Sequence, residues 1–207
     1  MKRIFVTGIS TDVGKTIASA IMVEALKADY WKPVQAGELD HSDSKRIVEL
    51  ISNDHTCIHK SSYELKLPMS PHAAARLEGI TIHRSQIREP NSNNHLVIEG
   101  AGGLLVPLND EDTILDIIMP YYKVIVVSRH YLGSINHSLL TINWLVQKGY
   151  EVGVLFNGSE NSFTEQIIAQ KTGVPILGRI DEESQIDKAV IRKYAELLRP
   201  SLVSFLG

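Results

Sequence analysis

A single cysteine, Cys57, stands among 207 residues, so no internal disulfide framework braces this chain. Neither sign of charge dominates: 21 Lys and Arg face 24 Asp and Glu, a formal net charge of -3. The basic residues are scattered, so neither nucleic acid nor an anionic membrane surface is an expected partner. Long apolar runs are missing too, and none nears the roughly 18 to 20 residues that span a bilayer. The opening "MKRIFVTG" passes directly into a strand pattern, without an apolar leader or cleavage site. The expectation is a cytoplasmic protein. Histidine spacing for metal is lacking as well: eight histidines occur, none in an HExxH pattern. No Ser/His/Asp set suggests a protein nucleophile.

What is present is alternation. The apolar fraction of 43% suffices for a sizeable core. Short apolar runs at 3–7, 31–34, 96–103, 123–128, 151–158 and 175–180 read as strands. Helical spacing marks 15–27, 43–51, 134–149, 162–173 and 186–198, and a Pro-rich loop leads into a short helix within 68–79. Residues 89–95 are a polar surface loop. This order predicts an α/β fold, a mostly parallel sheet with helices on both faces. No linker, repeat or low-complexity stretch interrupts it, so one domain over 1–207 is expected.

The first strand runs into "GISTDVGKT", Gly8 to Thr16. A strand, a glycine-rich turn and a helix opening on Lys-Thr form a device for phosphate. Backbone N–H groups point inward and the helix N-terminus adds positive potential. Lys15 can reach terminal phosphates, and the Thr16 hydroxyl can sit on Mg²⁺. The usual loop has four residues before Gly-Lys-Thr; this one has the five from Ile9 to Val13. It lacks the second lysine that partitioning and nitrogenase-type ATPases carry near the loop's start. Mg²⁺ takes oxygen ligands, and Asp43 and Glu99 are the candidates. Glu99 ends a strand before "GAGG", at the strand end where open parallel sheets bind ligands. Taken alone, Asp43 could be a helix cap and Glu99 a solvated strand end. Beside a phosphate loop, both point to metal.

Six segments, "VTGISTDVGKT", "KPVQAG", "SPH", "VIEGAGGLLVPL", "LGSINHSLLT" and "FNG", together resemble the dethiobiotin synthetase family from residue 3 to about 180. The resemblance implies a P-loop NTPase-like homodimer that uses MgATP. It implies conversion of 7,8-diaminopelargonate and CO₂ to dethiobiotin through a carbamate and a carbamic–phosphoric anhydride. It also implies roles. Thr16, Asp43 and Glu99 would hold Mg²⁺. Gly8, Asp12, Val13, Gly14, Lys15, Thr16 and Ile17 would wrap the nucleotide. Gly100, Ala101 and Gly102 would line the reacting centre, with Asn157 and Gly158 at the base. Catalysis would fall to Lys15, Lys32 and Thr11. Substrate would meet Lys32, Ala36, Gly102 and Gly103. Its carboxylate would lie on Leu132, Gly133, Ser134, Ile135 and Asn136, a helix start reaching across the dimer interface.

The chain departs from the family pattern in places. Asp12 replaces a longer acid, and Gln35, Ala36 and Gly37 stand where the family offers a serine. "GRID" at 178–181 replaces Gly-x-Ile-Pro, and Asp181, Glu182 and Glu183 add negative charge near the expected base site. A looser choice of base is therefore expected. Two other classes compete. A P-loop amide ligase would carry a glutaminase domain, for which this chain is too short. A nucleotide switch of the partitioning type is disfavoured by the missing lysine and by "KPV" and "LGSINH". His72 and His137 read as structural or orienting, and Trp144 and Leu145 as core or dimer packing.

Overall fold

A computed structural model describes all 207 residues, Met1–Gly207. In chain order its elements are β1 (Arg3–Gly8), α1 (Lys15–Leu26), β2 (Asp29–Trp31), β3 (Val34–Ala36), α2 (Asp43–Leu50), β4 (Ile58–His59), β5 (Tyr63–Leu65) and α3 (Pro71–Leu77). Then follow β6 (Leu96–Gly103), β7 (Lys123–Arg129), α4 (Ser134–Gln147), β8 (Glu151–Asn157), α5 (Ser162–Thr172), β9 (Ile176–Ile180) and α6 (Lys188–Leu206). Seven strands form one sheet in the order β4-β2-β6-β1-β7-β8-β9, and β3 pairs separately with β5. Every pairing is parallel.

Right-handed crossovers decide which face each helix covers. From β1 the chain steps one way through α1 to β2; from β7 it steps the other way through α4 and α5. The two sets therefore cover opposite faces. α1 packs with α2 and α6, and α4 packs with α5. β1 lies between β6 and β7. Covered on both faces, its Ile4, Phe5 and Val6 are wholly buried, which is why it reads as a continuous apolar run. The phosphate loop thus starts from the best-supported strand of the sheet. No helix is long and apolar enough to cross a membrane.

The short strands β4 and β5 were not expected, β6 runs on past Glu99 to Gly103 rather than ending there, and two further elements differ from expectation. The run "WKPV" is not one strand: β2 ends at Trp31 and β3 begins at Val34. Pro33 has no N–H to give to a ladder and disfavours helical geometry at Lys32, so the chain leaves the main sheet there. Trp31 pairs with Ile98 across β2 and β6, so Lys32 emerges beside Glu99. The last helix, expected over 186–198, instead starts at Lys188 behind an Asp187 cap and continues through Pro200 to Leu206. Pro200 is exposed, so the carbonyl it leaves unpaired faces solvent, while buried Leu198, Leu202 and Leu206 hold the helix down.

Candidate functional site

The loop after β1 closes only on glycine. Gly14 has φ 92, and a Cβ there would lie 2.3 Å from Asn157 Nδ2. A Cβ on Gly8 would lie 2.5 Å from Val13 Cγ2. Gly14 is the N-cap of α1, and no side chain caps that end. The first-turn amides stay available to an anion. α4 is built alike, with Gly133 at φ 103 and no side-chain cap. By contrast, Ser42, Asn161 and Asp187 cap α2, α5 and α6 with their own side chains. Lys15 folds into the loop, its Nζ donating to the Ser10 carbonyl at 3.0 Å. Burial, then the neighbouring Lys32 ammonium, push its pKa down to about 8.

Beside the loop sits a compact charged cluster. Lys32 Nζ lies 2.7 Å from Asp43 Oδ2 and 3.1 Å from Glu99 Oε1, and donates to the Gly100 carbonyl at 3.0 Å. The Thr16 hydroxyl lies 2.7 Å from Asp43 Oδ1 and 3.0 Å from Glu99 Oε1. Burial opposes the charge on Lys32, but Glu99 and Asp43 outweigh it and raise its pKa. Burial likewise opposes ionisation of Asp43, but Lys32 and then the Thr16 hydroxyl hold its pKa below the usual range. Ser42, not Asp43, caps α2, accepting from the Lys45 N–H, so the Asp43 carboxylate is left to the site.

A cavity of about 790 Å³ opens over this cluster. Of the residues singled out in the sequence, Thr11, Asp12, Gly14, Lys15, Thr16, Ile17, Lys32, Ala36, Asp43, Glu99, Ala101 and Gly102 line it. Gly100 offers its carbonyl from behind, and Gly8, Val13 and Gly103 back the loop. Other expected residues do not line it. Asn157 Nδ2 donates to the Val13 carbonyl at 2.8 Å, clasping the loop. The Gly158 N–H donates to the Ile180 carbonyl at 2.8 Å. The run Leu132–Asn136 lies apart at the start of α4, with Leu132 fully exposed. The negative charge expected at 181–183 is largely paired off: Asp181 meets Arg179 at 2.7 Å and Glu183 meets Lys193 at 2.8 Å.

Some cavity and supporting residues escaped the sequence reading. Glu38, His41 and Arg46 join the lining. Gln35 bridges the Gly37 carbonyl and the Asp43 N–H, at 3.1 and 3.3 Å. Tyr30 donates to Glu99 Oε2 at 2.9 Å. No sequence signal pointed to it, because Lys32 lies beyond the end of β2 and shares no strand face with Tyr30. The donor set around Thr16 is made only of oxygen, two carboxylates and a hydroxyl. It forms no cluster of three acidic or His/Cys groups. That set fits a hard cation that keeps waters and phosphate oxygens, as Mg²⁺ does, and not a metal needing an all-protein cage.

A family model described as an AAA domain matches residues 2–190. The ATP-dependent dethiobiotin synthetase BioD of Christiangramia forsetii is 50% identical, covering 97% of this chain and 98% of its own length. That of Cytophaga hutchinsonii is 50% identical over 94% of this chain and 96% of its own length. Among solved structures, a plasmid partition protein from Borrelia burgdorferi superimposes with TM-score 0.61 at 16% identity, covering 98% of both chains. A ParA family ATPase from Chlorobium tepidum gives 0.54 at 14% identity, covering 99% of this chain and 94% of its own. At such low identity these two establish the fold alone. The near-complete alignments at half identity establish more: this chain belongs to the dethiobiotin synthetase family.

Proposed function

We propose that the chain closes the ureido ring of dethiobiotin from 7,8-diaminopelargonate, CO₂ and ATP. It does so as one domain per subunit of a cytoplasmic homodimer. The observation that carries this reading is the convergence of Lys15 and Lys32 on one cavity with Thr16, Asp43 and Glu99. A carbamate and a γ-phosphate are both anionic and repel each other, and two buried ammonium groups lower that repulsion. Positioning and charge are the main demands of phosphoryl transfer, and the cavity offers them without a protein nucleophile.

One substrate amine takes up CO₂ and loses a proton to become a carbamate. A carbamate oxygen attacks the γ-phosphorus and ADP leaves. The second amine then attacks the carbonyl carbon, expels phosphate and closes the ring. Mg²⁺, held by Thr16, Asp43 and Glu99, would neutralise phosphate charge. Lys15 would meet the β- and γ-phosphates, Lys32 the carbamate, and Thr11 and Gly102 the reacting edge. Asn157, with Nδ2 on Val13, has Oδ1 left for the adenine amino group. The open N-terminus of α4 supports capture of the substrate carboxylate by a partner copy. Exposed Leu132, Leu140 and Trp144 around that helix support a dimer face.

The test is phosphate release with diaminopelargonate, bicarbonate and MgATP. Release that depends on the diamine is expected; diamine-independent ATP hydrolysis would favour a nucleotide switch. Lys32→Ala should lower turnover by about 10²- to 10³-fold. Full activity in that variant would remove Lys32 from the mechanism.

A further inference from the structure

Glu99 divides its two oxygens between different partners. Oε1 faces Lys32 Nζ at 3.1 Å and Thr16 Oγ1 at 3.0 Å. Oε2 accepts from the Tyr30 hydroxyl at 2.9 Å. Tyr30 is fully buried on β2 and Glu99 is 1% exposed, so water does not compete for Oε2.

We propose that Tyr30 is a positioning residue that holds Glu99 to one-oxygen coordination and so biases the site toward Mg²⁺ and against Ca²⁺. This rests on reading Thr16, Asp43 and Glu99 as metal ligands. The physical ground is ligand count. Mg²⁺ demands a compact octahedron at about 2.0–2.1 Å, whereas Ca²⁺ takes a larger shell that accepts both oxygens of a carboxylate. A carboxylate with one oxygen bonded to a buried phenol offers the second only by breaking that bond. Without the phenol, Oε2 has no donor and is drawn to the ion, which favours the larger cation.

The experiment compares the intact protein with Tyr30→Phe, using calorimetric titration of a non-hydrolysable ATP analogue in Mg²⁺, in Ca²⁺ and in chelator. The intact protein should bind more tightly with Mg²⁺ than with Ca²⁺. Tyr30→Phe should lose about tenfold in Mg²⁺, the usual scale for removing a ligand's hydrogen-bond partner, with little change in Ca²⁺ or chelator. A purely structural role would weaken all three conditions alike. That result, or an unaltered Mg²⁺ preference, overturns the proposal. Failure of the metal reading looks different: the intact protein itself would bind equally in all three conditions. If melting shows that Tyr30→Phe does not fold, Tyr30→Met removes the same hydroxyl and repeats the comparison.

Discussion

Gly14 has φ 92 and faces the Asn157 amide, so a methyl group there meets two obstacles at once. The left-handed backbone costs an alanine about 1–2 kcal/mol. The Cβ also displaces the amide that holds the Val13 carbonyl. Gly14→Ala should therefore weaken nucleotide binding by about tenfold or more, read by calorimetry. Adding Asn157→Ala relieves the clash but removes the clasp on Val13 and the proposed base contact, so the double variant should not recover the loss. Unchanged affinity in Gly14→Ala would mean that the loop reshapes freely. Lys15 and Thr16 were legible in sequence because their chemistry is local to one turn. Asp43 and Glu99 gained their meaning only beside that turn. Tyr30 was illegible: a tyrosine in a short strand reads as core, and its hydroxyl matters only because β6 brings Glu99 alongside.

At the scale of elements, the wall of the site depends on a joint between β3 and α2. Gln35 spans it, holding the Gly37 carbonyl with Nε2 and the Asp43 N–H with Oε1. Gln35→Ala should let the first turn of α2 drift and so misplace Asp43. The expected outcome is roughly tenfold weaker nucleotide binding in Mg²⁺ with the fold retained, measured by titration alongside circular dichroism. Equal binding would show that Ser42 alone seats the helix. The strand–helix alternation was legible because both faces of the sheet are covered. The break inside "WKPV" has a local cause in Pro33, but the pairing of the chain beyond it was not legible, since β3 pairs with β5, some way along the chain. The extension of α6 past Pro200 was hidden for a related reason: packing of Leu202 and Leu206 overrides a local helix breaker.

Across the whole molecule, the two ends of the sheet do different work. The carboxyl end carries the cavity. The amino end is tied by Asp29 and Glu89. Asp29 accepts from Ser92 Oγ at 2.6 Å and from the Cys57 N–H at 3.0 Å. Glu89 joins Arg3 of β1 to Tyr121 and Tyr122 ahead of β7. Burial opposes both charges, but hydrogen bonds outweigh it: Ser92 and the Cys57 N–H hold Asp29 low, and Tyr122 and Arg3 hold Glu89 low. Groups with depressed folded pKa values contribute stability above their unfolded values, about 4, and lose it as pH falls through the folded ones. The melting temperature should hold steady from neutrality to about pH 5 and fall below about pH 4. Asp29→Asn and Glu89→Gln should lower the plateau and flatten the fall; an acid limb of unchanged steepness would assign it to other carboxylates.

Lys32, lodged between Asp43 and Glu99, has one more consequence. Its ammonium is a cation of fixed stoichiometry, tied to the backbone and immune to dilution. On the proposed reading of the site, an arriving metal–nucleotide complex would meet carboxylates already held together by that ammonium rather than pushing each other apart.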